Sequence, residues 1–208
     1  MTDIVYATTN PGKFAEVQKI FSGYDISIHS ASEFGVDLDV AETGQTLEEN
    51  AILKAEAYLE AIVKDVVVVS DDTGLEIDAL GGEPGIKVRR WKGYRMSDDE
   101  ILDYTLERLA SVPNERRTAQ FRTVIAVACH KTDTQVFEGK LRGRLLSKPI
   151  EMRVEGLPFQ PLFYVTEYDL MLGDLHDMTV KSKLAKNIKT HRERAVEAAL
   201  PYLATLNH

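Results

Sequence analysis

The stretch Val66-Val67-Val68-Val69-Ser70-Asp71-Asp72-Thr73-Gly74-Leu75 decides how the chain is read. Its β-branched run has the character of a fully buried strand, which is covered on both faces and so needs no polar alternation. Asp71 and Asp72 then stand at the strand exit. The glycines that follow, in Gly74 and in Leu80-Gly81-Gly82-Glu83-Pro84-Gly85, suggest a sharply bent turn on which the two carboxylates hold a hard cation against a ligand.

Working outward, Ile4-Val5-Tyr6-Ala7 reads as a short strand, Thr8 to Lys13 as a loop, and Phe14, Val17, Ile20 and Phe21 recur at helical spacing. Asn10 is a natural N-cap with Pro11 at the first helical position. Thr46 and Glu49 have capping-box spacing and announce a second helix that carries Leu47, Ala51, Ala55, Tyr58, Leu59 and Ile62 on one side. A third helix is expected from Asp98 through Leu109, antiparallel strands over 119–129 and 134–146, and one final helix over 183–206. Strands alternating with helices predict an α/β fold. Without an internal repeat or long linker, residues 1–208 are read as a single domain.

The chain has 208 residues, 44% of them hydrophobic and 28% charged, which suits one core-bearing globular unit. Its longest apolar runs, around 66–69 and 124–129, are too short to cross a bilayer, and no basic-then-apolar leader opens it, so a cytoplasmic protein without membrane partners is expected. The single cysteine, Cys129, cannot pair internally and is read as a small buried hydrophobe. A net charge of −8 argues against a nucleic-acid partner. Two local basic runs, Lys87 to Arg95 and Lys181 to Arg194, could attract acidic ligands, although solvated faces are the commoner meaning of such runs.

The strand-to-helix connection Thr8-Thr9-Asn10-Pro11-Gly12-Lys13 combines hydroxyls, backbone N–H groups and one cation at the positive end of a helix dipole, a recipe for binding phosphate. It lacks Walker A spacing, and such turns also serve as plain punctuation. Glu42, before the second helix, could complete a magnesium site with Asp71 and Asp72, because that ion keeps several waters and needs few protein carboxylates. The five histidines are scattered and form no zinc pattern.

Three segments, Ala7 to Lys13, Glu42 to Ala55 and Ser70 to Ile86, resemble the inosine triphosphate pyrophosphatase family in order and spacing, with weaker matches at Phe137-Glu138-Gly139 and Thr190-His191-Arg192. Members of that family hydrolyse ITP, dITP, XTP and similar non-standard purine nucleoside triphosphates to the monophosphate and pyrophosphate. The resemblance implies that Thr8, Thr9, Asn10, Pro11, Gly12 and Lys13 hold the triphosphate, that Glu42 and Asp72 bind Mg²⁺, that Asp72 is also the general base, and that Thr73 contacts substrate. It further implies that Lys186, His191 and Arg192 approach the base and phosphates. Arg90 sits where the family has an arginine, with Trp91 in place of a tyrosine. The family's base-sandwiching loop is altered to Gly156-Leu157-Pro158-Phe159-Gln160-Pro161, in which Phe159 keeps an aromatic surface and Gln160 stands for an aspartate. Segment 166–185 departs too, with Tyr168, Leu170, Met171 and Leu172 available for packing or a subunit contact.

The resulting expectation is a long mixed, twisted sheet flanked by helices in two lobes with an active-site cleft, acting as a Mg²⁺-dependent nucleoside triphosphate pyrophosphatase and forming a homodimer. Two alternatives stay open: the same chemistry on a modified or pyrimidine nucleotide, because of the altered loop, and a nucleotide-binding homologue that has lost turnover.

Overall fold

The computed structural model describes residues 4–24 and 26–206. In chain order its elements are β1 (Ile4–Tyr6), α1 (Pro11–Phe21), β2 (Ile28–Ser30), α2 (Leu47–Ala61), β3 (Val67–Ile77), β4 (Pro84–Gly85), α3 (Asp98–Arg108), β5 (Thr118–Cys129), β6 (Thr132–Leu145), β7 (Phe163–Val165), β8 (Leu170–Met171), α4 (Leu172–Asp177), α5 (Val180–Lys186) and α6 (His191–Thr205). The strands form one sheet in the order β2-β1-β3-β5-β6-β7-β8, with β4 paired to β3. It is mixed: β1 runs parallel to β2 and β3, whereas β4 is antiparallel to β3 and β7 antiparallel to β6 and β8. The expected α/β class with a long mixed sheet and helices therefore holds.

The described residues divide into two compact units. The first draws on 1–73, 123–139 and 192–208, the second on 74–122 and 140–191. In the first, Val67 and Val69 of β3 share a core with Ile4 and Tyr6 of β1, Val17, Ile20 and Phe21 of α1, and Ala195, Val196, Ala199 and Leu203 of α6. Ser70, on the opposite face, donates to the Ala51 carbonyl of α2. Alternation along β3 thus gives one face to α1 and α6 and the other to α2. Cys129 is buried in the same core. The second unit packs Leu75, Ile77, Ile101, Leu109, Phe121, Leu141, Phe163 and Leu175 into its own core.

Capping chemistry behaves largely as read. Asn10 Oδ1 accepts the Lys13 N–H at 3.1 Å, with Pro11 inside the first turn of α1. Thr46 Oγ1 accepts the Glu49 N–H at 3.1 Å, but the Glu49 carboxylate takes the Gln45 N–H rather than that of Thr46, so the box closes one residue early. Ser97 and Glu100 make a full capping box at α3.

Three expectations need correction. Asp71 and Asp72 do not lie on a turn, because β3 runs through them to Ile77. Aspartate is a poor strand former, yet here buried partners to both carboxylates override that preference. The bend comes later, where Gly81 and Gly82 take positive φ of 66° and 92°. Gly74 serves instead a close approach: a Cβ there would meet the Gly85 carbonyl oxygen at 2.8 Å. The final helix is not continuous, since Asn187 adopts φ 51° and separates α5 from α6. Pro201, by contrast, is accommodated inside α6. Segment 166–185 is built into the second unit, with Leu172 in its core and Tyr168 and Leu170 packed against it.

Candidate active site

The first unit assembles its polar residues on β3 and around the start of α1. Ala7 N–H bonds the Val69 carbonyl at 2.8 Å, which carries the chain from β1 alongside β3 and into the Thr8–Lys13 loop. Thr8 Oγ1 accepts the Asn10 N–H at 3.2 Å, and Thr9 is exposed. Gly12 lies in the first turn of α1, whose end directs N–H groups out of the helix. Lys13, at the third helical position, reaches Asp71 Oδ2 at 3.1 Å.

Because β3 is extended through the acidic pair, Asp71 and Asp72 point to opposite faces and keep different company. They do not form one cation site, contrary to the reading from spacing. On the α1 and α6 face, Asp71 accepts from the Tyr6 hydroxyl, from Thr73 Oγ1 at 3.0 Å and from Arg192 Nη2 at 3.3 Å. Burial by itself pushes the Asp71 carboxyl up, but Lys13, Arg192 and Lys54 with the Tyr6 hydroxyl outweigh it and hold the group well below the usual carboxylate range. Tyr6 moves the other way, raised first by burial and then by Asp71.

On the α2 face, Asp72 accepts from Asn50 Nδ2 at 3.2 Å and lies 3.7 Å from Lys54 Nζ. The same ammonium donates to Glu42 Oε1 at 2.9 Å and to the Asp71 carbonyl at 2.7 Å. Lys54 is the functional residue that the sequence reading passed over. Its signal lies in its place within α2: Asn50 and Lys54 are four residues apart, so both project on one helical face toward β3. Burial lowers its proton affinity, yet Asp72, Glu42 and Asp71 reverse the effect and raise it, so the ammonium stays charged. For Asp72 burial dominates, and with the nearby charges of Glu42 and Asp71 it lifts the carboxyl above its usual value against Lys54 and Lys13.

Glu42 and Asp72 thus gather oxygen donors on one cationic point, which suits a small hard ion. Among the described residues no group of three or more His, Cys, Asp or Glu side chains could hold a metal. A pair of carboxylates completed by water and phosphate is the donor set magnesium accepts.

Other expected residues sit elsewhere. Thr73 Oγ1 joins Asp71, Arg192 and Thr123 Oγ1 in the first unit. Arg192, 1% exposed, pairs with Glu16 as well as Asp71, so its guanidinium is engaged inside that unit. In the second unit His191 stacks on Phe121 at 4.7 Å, and Lys186 is exposed at the end of α5. Phe159 is 3% exposed and meets Phe121 edge-on at 6.0 Å, so its ring is a core element here rather than an open stacking surface. Gln160 is buried beside His176, its Nε2 facing His176 Nδ1, and its Oε1 has no hydrogen-bond partner among the described residues. The loop is anchored by the Gly156 N–H to Asp98 Oδ2 at 2.8 Å. Trp91 bonds Glu83 and packs on Tyr104, while Arg90 is exposed.

The chain as a whole is similar to known proteins. The chain is 38% identical over 182 residues to a dITP/XTP pyrophosphatase of Thermoanaerobacter pseudethanolicus, covering 88% of this chain and 89% of that protein. It is 36% identical over 200 residues to the dITP/XTP pyrophosphatase of Bacillus subtilis, covering 95% and 94%. The structure of the Staphylococcus aureus Ham1 protein superposes with a TM-score of 0.76 at 33% identity, over 99% of this chain and all of that one. A model of the Ham1 family matches residues 4–202. With a family model matching residues 4–202 and relatives at 36–38% identity over most of their length, the chain belongs to the Ham1 family.

Proposed function

We propose that this chain is a Mg²⁺-dependent nucleoside triphosphate pyrophosphatase acting on ITP, dITP or XTP, releasing the monophosphate and pyrophosphate. The observation that carries the reading is the meeting of Glu42 and Asp72 on the Lys54 ammonium, in the same unit that presents Lys13 at the start of α1. Relatives at 36–38% identity are named dITP/XTP pyrophosphatases, which supports the substrate class.

Cleavage between the α- and β-phosphates needs negative charge neutralised, a water activated and pyrophosphate stabilised as it leaves. Lys13 and the α1 N-terminus attract the triphosphate, and Lys54 adds a second ammonium beside the reacting carboxylates. Mg²⁺ held by Glu42 and Asp72 would supply further charge neutralisation and water polarisation. Asp72 takes the proton of the attacking water. Asn50 fixes one of its oxygens, which holds the carboxylate toward the site of attack. The reading keeps the homodimer that family resemblance implies and the cytoplasmic setting expected from the sequence.

The test is a panel of standard, deaminated and pyrimidine nucleoside triphosphates with Mg²⁺, the products resolved by chromatography. ITP, dITP or XTP should give the monophosphate and pyrophosphate. A diphosphate product, or no turnover of any of them, would overturn the proposal.

A further inference from the structure

The phosphate loop and the acidic strand meet through one residue that the catalytic reading leaves without a task. Asp71 is wholly buried, whereas the Lys13 side chain beside it is 18% exposed. We propose that Asp71 is the resident counter-ion of Lys13: it positions the ammonium at the start of α1 and yields it to a phosphate oxygen when substrate arrives. The inference rests on the pyrophosphatase reading and adds a positioning residue to it.

Three features distinguish this role from that of a simple fold staple. Arg192, the other cation on Asp71, is also paired with Glu16, so it has a carboxylate partner besides Asp71. Lys13, by contrast, reaches Asp71 Oδ2 at 3.1 Å, and among the described residues no second carboxylate pairs with it. Asp71 Oδ2 also accepts from Thr73 and Arg192, and Oδ1 from Tyr6. When Lys13 transfers to phosphate, the buried carboxylate therefore keeps donors on both oxygens and is not stranded. Finally, Tyr6 ends β1 and Lys13 lies in the first turn of the helix across the same loop, so a carboxylate fixed by Tyr6 sets where a flexible lysine rests before binding.

The experiment compares wild type, Asp71→Asn, Lys13→Met and the double variant. Binding of inorganic pyrophosphate is read by calorimetry, and kcat and KM with Mg²⁺ and ITP. Removing the counter-ion frees the ammonium for anions but leaves it undirected. Asp71→Asn should therefore bind pyrophosphate about threefold or more tighter while kcat falls about tenfold. Both changes should vanish in the Lys13→Met background. Weaker or unchanged pyrophosphate binding, or an equal kcat loss in that background, would reduce Asp71 to a structural residue. Should Asp71→Asn fail to fold, nuclear magnetic resonance of the wild type decides: on adding pyrophosphate the Lys13 side-chain signals and the Asp71 carboxyl carbon should move together. A static Lys13, or a Lys13 that moves while the Asp71 carboxyl carbon stays, would overturn the proposal. Pyrophosphate titration needs no turnover, so failure of the hydrolase reading would show separately, as a wild type inactive on every nucleotide.

Discussion

The Lys54 ammonium lies 2.9 Å from Glu42 Oε1, joining the segment before α2 to the helix itself and, through its 3.7 Å approach to Asp72, to β3. Replacing it with methionine leaves carboxylates gathered without their cation. Lys54→Met should lose about 1–3 kcal/mol of stability, read from urea unfolding, since a largely buried partner is removed from charges that stay. Added Mg²⁺ should raise the melting temperature of the variant more than that of wild type. An equal response in both proteins would count against a shared cation point.

Asp72→Asn keeps size and can still meet Asn50, but it lacks the charge that accepts the proton. Turnover should fall by at least about a hundredfold while circular dichroism and unfolding midpoint remain near wild type. Near-native rates from the purified variant would show that another group is the base.

Asp71 should dominate acid sensitivity. Its carboxyl is held below the usual value of about 4, so the stability it contributes is fully present above that value and is lost progressively as the pH falls below it. Urea unfolding followed from pH 7 toward pH 2.5, a range that covers the onset of that loss and leaves the rest to still lower pH, should already show wild type losing stability more steeply than Asp71→Asn below about pH 4. Parallel curves would exclude a dominant contribution from Asp71.

The altered loop makes a prediction about specificity. Buried Gln160 faces half-buried His176 where the resembled family carries an aspartate. Gln160→Asp replaces the amide beside His176 with a carboxylate, and Phe159→Tyr should bury an extra hydroxyl beside Phe121 at about 1–3 kcal/mol if it finds no partner. If the loop governs base choice, the double variant should widen the ITP-over-ATP ratio of kcat/KM. An unchanged ratio would place base discrimination elsewhere.

The sequence by itself determined the α/β class, the N-cap at Asn10 and the start of α2 at Thr46, because capping, periodicity and β-branched runs are local signals, whereas the pair Glu42 and Asp72 came from the family resemblance. It also marked Lys13 as the cation of the α1 loop, through residue type and position alone. What it could not supply was the direction of each side chain on β3. Two adjacent aspartates look like one site in a linear reading, but extended backbone sends them to opposite faces, and only the packing of α1, α6 and α2 says which partners wait there. Lys54 was invisible as a site residue for the same reason, since a lysine within an amphipathic helix reads as solvated until the strand beneath it is known to carry Asp72. The burial of Arg192 against Glu16, residues far apart in the chain, and of Phe159 against Phe121 was likewise decided by tertiary structure, because long-range pairing leaves no trace in local spacing.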